Sequence, residues 1–419
     1  MRETLLTTGS RGPALGRRGS SFDASRYPAE LGDDDACGDR AEPLPLSGDD
    51  ACGDGAEPLP LPLSGDAACG HRAEPLPLPL SGDAAYGDRA EPLPLPLSLS
   101  DAAGALGAGL AEAAPPVKVA GSLVRCGTSS WADPGLVRYG DFYPRKSMTA
   151  RERLAYYSSR FPLAEIATTY RFPPTPDLAR QWVARTPDGF CFDVRCWSLL
   201  TEAPTLPDSL WEDLLDEVRP ETRHRRRLYT AHLSGDAIEE CWRRFEYALR
   251  PLHQAGRLGA VILQYPSWFT PKDETRAALV TARQYLARYR VAVDFRSPKW
   301  VTGAACEDTL EWLEAHDLGF VCTDGPSVGP RSMPPVLAAT SGLAVLRFVG
   351  RRADPEDPWP WPYRYDVSEL AEASRRVRQL AAATDEVHLI MENCWRGDAV
   401  DNALMLADLL DGSSGPGSG

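Results

Sequence analysis

The sequence predicts an α/β fold: a closed (β/α)8 barrel over residues 121–412, preceded by a disordered, repeat-containing N-terminal tail. Three observations carry this. Eight short apolar runs alternate with longer amphipathic segments over about 290 residues, the size and order of a barrel in which each parallel strand is followed by a helix. All eight runs finish on groups that hydrogen-bond or carry charge, as barrel strands do at their C-terminal mouth. The first run leads into GTSSW rather than a G-x-G-x-x-G turn, and no Walker sequence occurs. That argues against the competing open, doubly wound sheet and against a nucleotide cofactor.

The strands are expected at LVRCGTSSW (123–131), LAEIATTY (163–170), FCFDVRCW (190–197), GAVILQYP (259–266), VAVDFRSP (291–298), GFVCTDG (319–325), LAVLRFVG (343–350) and VHLIMENCW (387–395). In the fifth, Val291, Val293 and Phe295 share one face while Asp294 and Arg296 share the other. An extended chain can thus bury one side and carry charge on the other. Between the runs lie helical patterns. Thr149 is placed to cap TARERLAYYSSRF, and TPDLARQWVART opens on a Thr-Pro start signal. DETRAALVTARQYLARY, CEDTLEWLEAH, VSELAEASRRVRQLAAA and AVDNALMLADLL carry apolar residues at three- and four-residue spacing. The long interval 208–256 is expected to hold two or more helices, and 326–342, rich in Pro and Gly, only weak helix.

Residues 1–120 have a different texture. Units of the form ACGDRAEPLPL recur, with Glu-Pro steps at Glu42, Glu57, Glu74 and Glu91. Alternating Pro and Leu favours an extended path with nothing to bury. A disordered tail and linker is expected, with docking to a proline-binding domain as its functional alternative. Residues 413–419 read as a flexible Gly/Ser end.

The net charge is −14, but residues 1–120 hold 19 acids and 9 bases while the rest hold 40 and 36. The near-neutral barrel segment does not suit broad attraction to nucleic acid or an anionic membrane. The basic run RHRRR (223–227) reads as a solvated face first and a phosphate contact second. No run approaches the ~20 apolar residues that span a bilayer, and MRETLLTTGSRGPALGRRGS has no signal-peptide core. The ten cysteines show no metal-ligand spacing. A cytoplasmic protein with reduced thiols is expected.

Read in order, the strand ends present Thr128-Ser129, Glu165, Asp193 with Arg195, Gln264, Asp294 with Arg296, Thr323-Asp324, Arg347 and Asn393. Arg195, Arg296 and Arg347 form a fork-shaped donor set suited to a carboxylate or phosphate. Glu165 with either Asp294 or Asp324 fits an acid–base pair; Glu165 and Asp294 are the catalytic candidates, with Gln264, Asp324 and Asn393 orienting a small anionic ligand. That arrangement fits hydrolysis, elimination or isomerisation; its first alternative is a non-catalytic module whose charges pair among themselves, and its second is nucleic-acid processing involving the basic run at 223–227. Of the six histidines only His388 falls in a strand, so no transition-metal site is expected; carboxylates leave magnesium open. Tryptophans near strand ends (Trp131, Trp197, Trp268, Trp300, Trp395) read equally as stacking lids and as packing.

Several of these segments together resemble the DUF72, or YecE-like, family: GTSSW (127–131) with FYP (142–144), AEIATTY (164–170), GFCFDVR (189–195), LGAVILQYP (258–266), VDFRSPKW (293–300), RFVG (347–350) and ENCWRGDAVDNALML (392–406). The resemblance implies a TIM-like barrel and leaves the function open, since the family is named for a domain of unknown function. The family's shared polar residues match Thr128, Trp131, Glu165, Gln264, Arg296, Asp324, Arg347 and Asn393, which adds Thr128 and Trp131 to the binding candidates. The sequence departs from the family pattern at Ala167, Glu392 and Val349, where Asn, Asn and His are usual.

Overall fold

A computed structural model describes residues 112–412 apart from 328, 330–331 and 353–361. Residues 1–111 of the tail expected over 1–120, and the Gly/Ser end over 413–419, lie outside the described residues.

Strand β1 (Val117–Val119) pairs antiparallel with β2 (Ser122–Thr128), so the sheet begins ahead of the expected boundary at 121. From β2 onward every pairing is parallel: β3 (Leu163–Ile166), β4 (Cys191–Arg195), β5 (Leu258–Tyr265), β6 (Val291–Phe295), β7 (Gly319–Asp324), β8 (Leu343–Phe348) and β9 (Glu386–Met391). β9 then pairs with β2 and closes an eight-stranded TIM-like barrel. Helices of varied length follow every barrel strand but β7: α1 (Pro134–Tyr139) and α2 (Ala150–Ser158) after β2, α3 (Pro176–Ala184), α4 (Gly235–Gln254), α5 (Asp273–Tyr285) and α6 (Ala304–Ala315) after β3 to β6, then α7 (Val367–Ala381) after β8 and α8 (Asp398–Asp411) after β9. The β7–β8 connection holds no helix among the described residues.

Local chemistry sets the helix starts. Thr149 and Glu152 form a reciprocal capping box on α2, and Thr175 accepts from the Leu178 amide ahead of Pro176. The interval 208–256 differs from expectation. It holds one α-helix, α4, preceded by short 3-10 turns including Pro207–Ser209, Glu212–Glu217 and Pro220–Thr222. Prolines at 207 and 220 interrupt any longer helix there.

The apolar residues split into two bodies. The large one lies between sheet and helices, and Val291, Val293 and Phe295 belong to it. The small one fills the barrel and includes Leu163, Ile262, Ala292, Val321, Val345 and Ile390. Between β4 and β5 the register shifts: Phe192 faces Leu258, but Val194 faces Val261. The extra β5 residue frees the Ala260 amide, which donates to Asp193 Oδ1 at 2.8 Å instead of to the ladder.

Candidate functional site

Side chains alternate along a strand, so at the mouth every second residue enters the barrel and its neighbours face the helices. That alternation divides the predicted site residues into two sets.

Glu165, Arg195, Gln264, Asp294, Arg296 and Arg347 come together inside. Glu165, fully buried on β3, accepts from Arg195 Nε at 3.1 Å and from Arg195 Nη2, and from Arg347 Nη1 at 3.2 Å and Arg347 Nη2. Asp294 Oδ2 accepts from Arg296 Nη2 at 2.9 Å and lies 3.3 Å from Arg347 Nε. Arg296 Nη2 also donates to Gln264 Oε1 at 2.9 Å. A further carboxylate completes the ring: Glu392, just past β9, accepts from Arg195 Nη2 at 2.9 Å and Arg347 Nη1 at 3.0 Å. Sequence reasoning noticed Glu392 only as a departure from a family pattern. The period of two through His388, Ile390 and Glu392 is the signal that places it inside.

Three carboxylates face three guanidiniums, so the ring carries no net charge. Burial pushes the Glu165 carboxyl up, but Arg195 and Arg347 outweigh it and hold it below the usual carboxylate range. Glu392 is depressed for the same reason, by Arg195, Arg347 and Arg296 against burial. Burial opposes the charged form of Arg195 and Arg347, yet the facing carboxylates raise both. An ionised Glu165 gripped by two arginines is a poor proton donor near neutral pH and serves to position those arginines. Asp294 differs. Its Oδ1 is buried with no hydrogen-bond partner among the described residues, and so is Arg296 Nε two residues on. Arg296 is also the most open member of the ring, with its side chain 31% exposed, whereas Arg347 is 0% exposed.

Thr128, Trp131, Asp324 and Asn393 do not join the ring. Thr128 Oγ1 lies 2.9 Å from the Tyr157 hydroxyl on α2. Trp131 packs edge-on against Trp182 and Phe192. Asp324 accepts from Arg351 at 2.8 and 2.7 Å, from Arg376 on α7 at 2.7 Å and from the Tyr365 hydroxyl at 3.1 Å. Asn393 donates to the Tyr363 carbonyl and to Asn402 on α8, each at 2.9 Å. These residues tie strand ends to the helix layer. The expectation that all eight strand ends converge across the mouth is corrected by their parity: the last residue of β2 and of β7, and Asn393 beyond β9, face outward.

The tryptophans also divide. Trp197 and Trp300 are wholly buried packing. Trp268 and Trp395, in the loops after β5 and β9, are 48% and 38% exposed, and Phe172 after β3 is exposed with them. These three supply flat apolar faces on the loops of the mouth side. In the basic run, Arg223 donates to the carbonyls of Val218 and Asp216, within its own loop. No helix among the described residues is long and apolar enough to cross a membrane.

Comparison with known proteins agrees with this architecture. The family model described as "Protein of unknown function DUF72" matches residues 125–416. The UPF0759 protein YunF of Bacillus subtilis (strain 168) is 27% identical over 300 residues, covering 69% of this chain and 95% of that protein. A crystal structure of a DUF72 family protein from Thermotoga maritima MSB8 superposes with a TM-score of 0.54 at 24% identity, over 69% of this chain and 99% of that one. Another, from Enterococcus faecalis V583, gives a TM-score of 0.53 at 22% identity, over 69% and 98%. With its barrel closed by β2 and β9 and the family model spanning nearly all of that barrel, the chain belongs to the DUF72 family.

Proposed function

We propose that the barrel mouth binds a small anion that also carries a hydroxyl or amine donor, with Asp294 and Arg296 as its direct contacts. One observation carries this reading: a buried acceptor, Asp294 Oδ1, and a buried donor, Arg296 Nε, stand unpartnered two residues apart on the inward side of one strand end. Leaving such groups unsatisfied costs about 1–3 kcal/mol each, and a ligand with an adjacent donor and acceptor recovers it. Arg195 and Arg347 are spent on Glu165 and Glu392, so Arg296 supplies the anion contact. The exposed ring faces of Trp268, Trp395 and Phe172 suit the apolar part of such a ligand. Asp294, with one oxygen anchored and the other free, is the group placed to take a proton from the bound donor. Acid–base chemistry on the ligand then runs through Asp294, with Glu165 positioning.

A second reading has its own observation: each mouth arginine already has a carboxylate partner. In that case the ring is a neutral plug that holds the barrel closed and binds nothing.

Thermal shift of the full chain against hydroxy acids, sugar acids and sugar phosphates separates the two. The binding reading expects a stabilising hit in the unaltered chain that disappears in Arg296→Ala. A hit that survives Arg296→Ala, or no hit across the panel, overturns it.

A further inference from the structure

A second group lies lower in the barrel. Cys191 and Asp193 on β4 and His388 on β9 are all buried. Their Sγ, carboxylate oxygen and ring nitrogen all fall within 4.8 Å of one another. His388 Nδ1 is 2.9 Å from both Asp193 oxygens, and its Nε2 is 3.2 Å from Glu386 Oε1. Both ring nitrogens therefore face carboxylates. A neutral imidazole has only one N–H, so one lone pair would point at a carboxylate oxygen. A second ring proton relieves this, and so does a cation held between Nδ1 and Asp193 with the single ring proton on Nε2 toward Glu386.

Two features distinguish these. A proton makes no use of the Cys191 sulfur, whereas a thiolate beside an imidazole and a carboxylate is a donor set for a borderline-soft ion. The backbone also makes room. The β4–β5 register shift falls at Gly259, where a Cβ would come within 2.5 Å of both Cys191 Sγ and Asp193 Oδ1 and within 2.8 Å of His388 Cε1. Any other residue would fill the space between the three donors.

We propose that Cys191, Asp193 and His388 bind a divalent ion of the zinc class inside the barrel. Zinc takes sulfur at about 2.3 Å and nitrogen or oxygen at about 2.0–2.2 Å, so tetrahedral donors stand about 3.3–3.6 Å apart by that geometry. The widest separation that a 4.8 Å span allows closes by about 1.2 Å to reach this. The second oxygen of Asp193, equally close to Nδ1, offers a fourth donor atom. Thiolate and carboxylate together balance the two charges of the ion, leaving a neutral centre in a low-dielectric interior. The Ala260 amide fixes Asp193, and Glu386 receives the far ring nitrogen of His388. Glu386 is itself held by Arg125 at 2.6 Å and by Arg290 at 2.5 Å. A carboxylate behind the histidine is the usual outer support of a metal-bound imidazole. The ion would join β4 to β9 one inward step beneath Arg195.

The test uses the full chain. Zinc content is measured by mass spectrometry after purification without chelator, and cobalt(II) is added to the chelated chain. The proposal expects about one zinc per chain, as a single such site binds, and a thiolate-to-cobalt charge-transfer absorption. Both should be lost in Cys191→Ser and in His388→Gln and kept in Cys306→Ser. The readings on the unaltered chain need no variant to fold. Absence of zinc and of the cobalt band there, or a band that persists in Cys191→Ser, overturns the proposal and leaves an imidazolium paired with Asp193.

Discussion

Asp294 and Asp324 end neighbouring strands, β6 and β7, and both are buried against arginines. They nevertheless do different work. Asp324 faces the helix layer and has both oxygens taken up, by Arg351, Arg376 and Tyr365. Asp294 faces the barrel interior, is anchored through Oδ2 alone, and keeps Oδ1 free. Burial and charge therefore do not separate a site from a scaffold in this barrel. On the proposed reading, strand parity and unspent hydrogen-bonding capacity do.

The largest effect should come from the member of the ring that both carboxylate faces share. Arg347→Ala removes one partner from each of Glu165, Glu392 and Asp294 at once. It strands buried negative charge, at a cost of about 3–5 kcal/mol, read as a lowered urea midpoint. Next is the outward set. Asp324→Ala cuts the charged bonds from β7 to α7, a loss of roughly 2–3 kcal/mol, with ligand binding at the mouth unchanged. If Asp324→Ala instead removes binding and spares stability, the division by parity fails.

The ring should also show itself in acid. Glu165 and Glu392 lie below the carboxylate value of 4.5 in the folded chain. Their contribution is fully present above the unfolded value and is lost as pH falls through the lower folded values. Stability should hold from neutral pH down to about 5 and decline below about 4. The decline should be shallower in the double variant Glu165→Gln, Glu392→Gln, and equal slopes would show that the two carboxylates are not the titrating pair. The smallest stability effect belongs to Arg296→Ala. That side chain is partly exposed, so its loss should lower the unfolding free energy by no more than about 1 kcal/mol while removing the proposed anion contact.

Much of this was legible in the sequence. All eight barrel strands begin within one residue of their expected start, because buried parallel strands read as compact apolar runs bounded by helix signals. Their ends were overrun: the run at 291–298 stops at Phe295, where Ser297 and Pro298 turn the chain into a 3-10 helix. The inward placement of Asp294 and Arg296 followed from alternation within a single strand. The outward placement of Asp324 and Asn393 follows from the same alternation, through Phe320 and Cys322 and through Leu389 and Met391, but their partners do not, because these arrive from distant helices: Arg376 on α7 and Asn402 on α8. Glu392 was missed for the converse reason. It sits past the last ladder residue, and only closure of the barrel brings it within 2.9 Å of Arg195 on β4. The Cys191–Asp193–His388 group needed the same closure, joining residues nearly two hundred positions apart with no local spacing to mark them.

The comparison is tested most directly by one chemical change made at both aspartates. Asp294→Asn and Asp324→Asn are each titrated with the panel ligand that stabilises the unaltered chain. The account predicts that Asp294→Asn weakens binding at least tenfold, while Asp324→Asn lowers the melting temperature and leaves affinity intact. Unchanged affinity in Asp294→Asn, or lost affinity in Asp324→Asn, would contradict it.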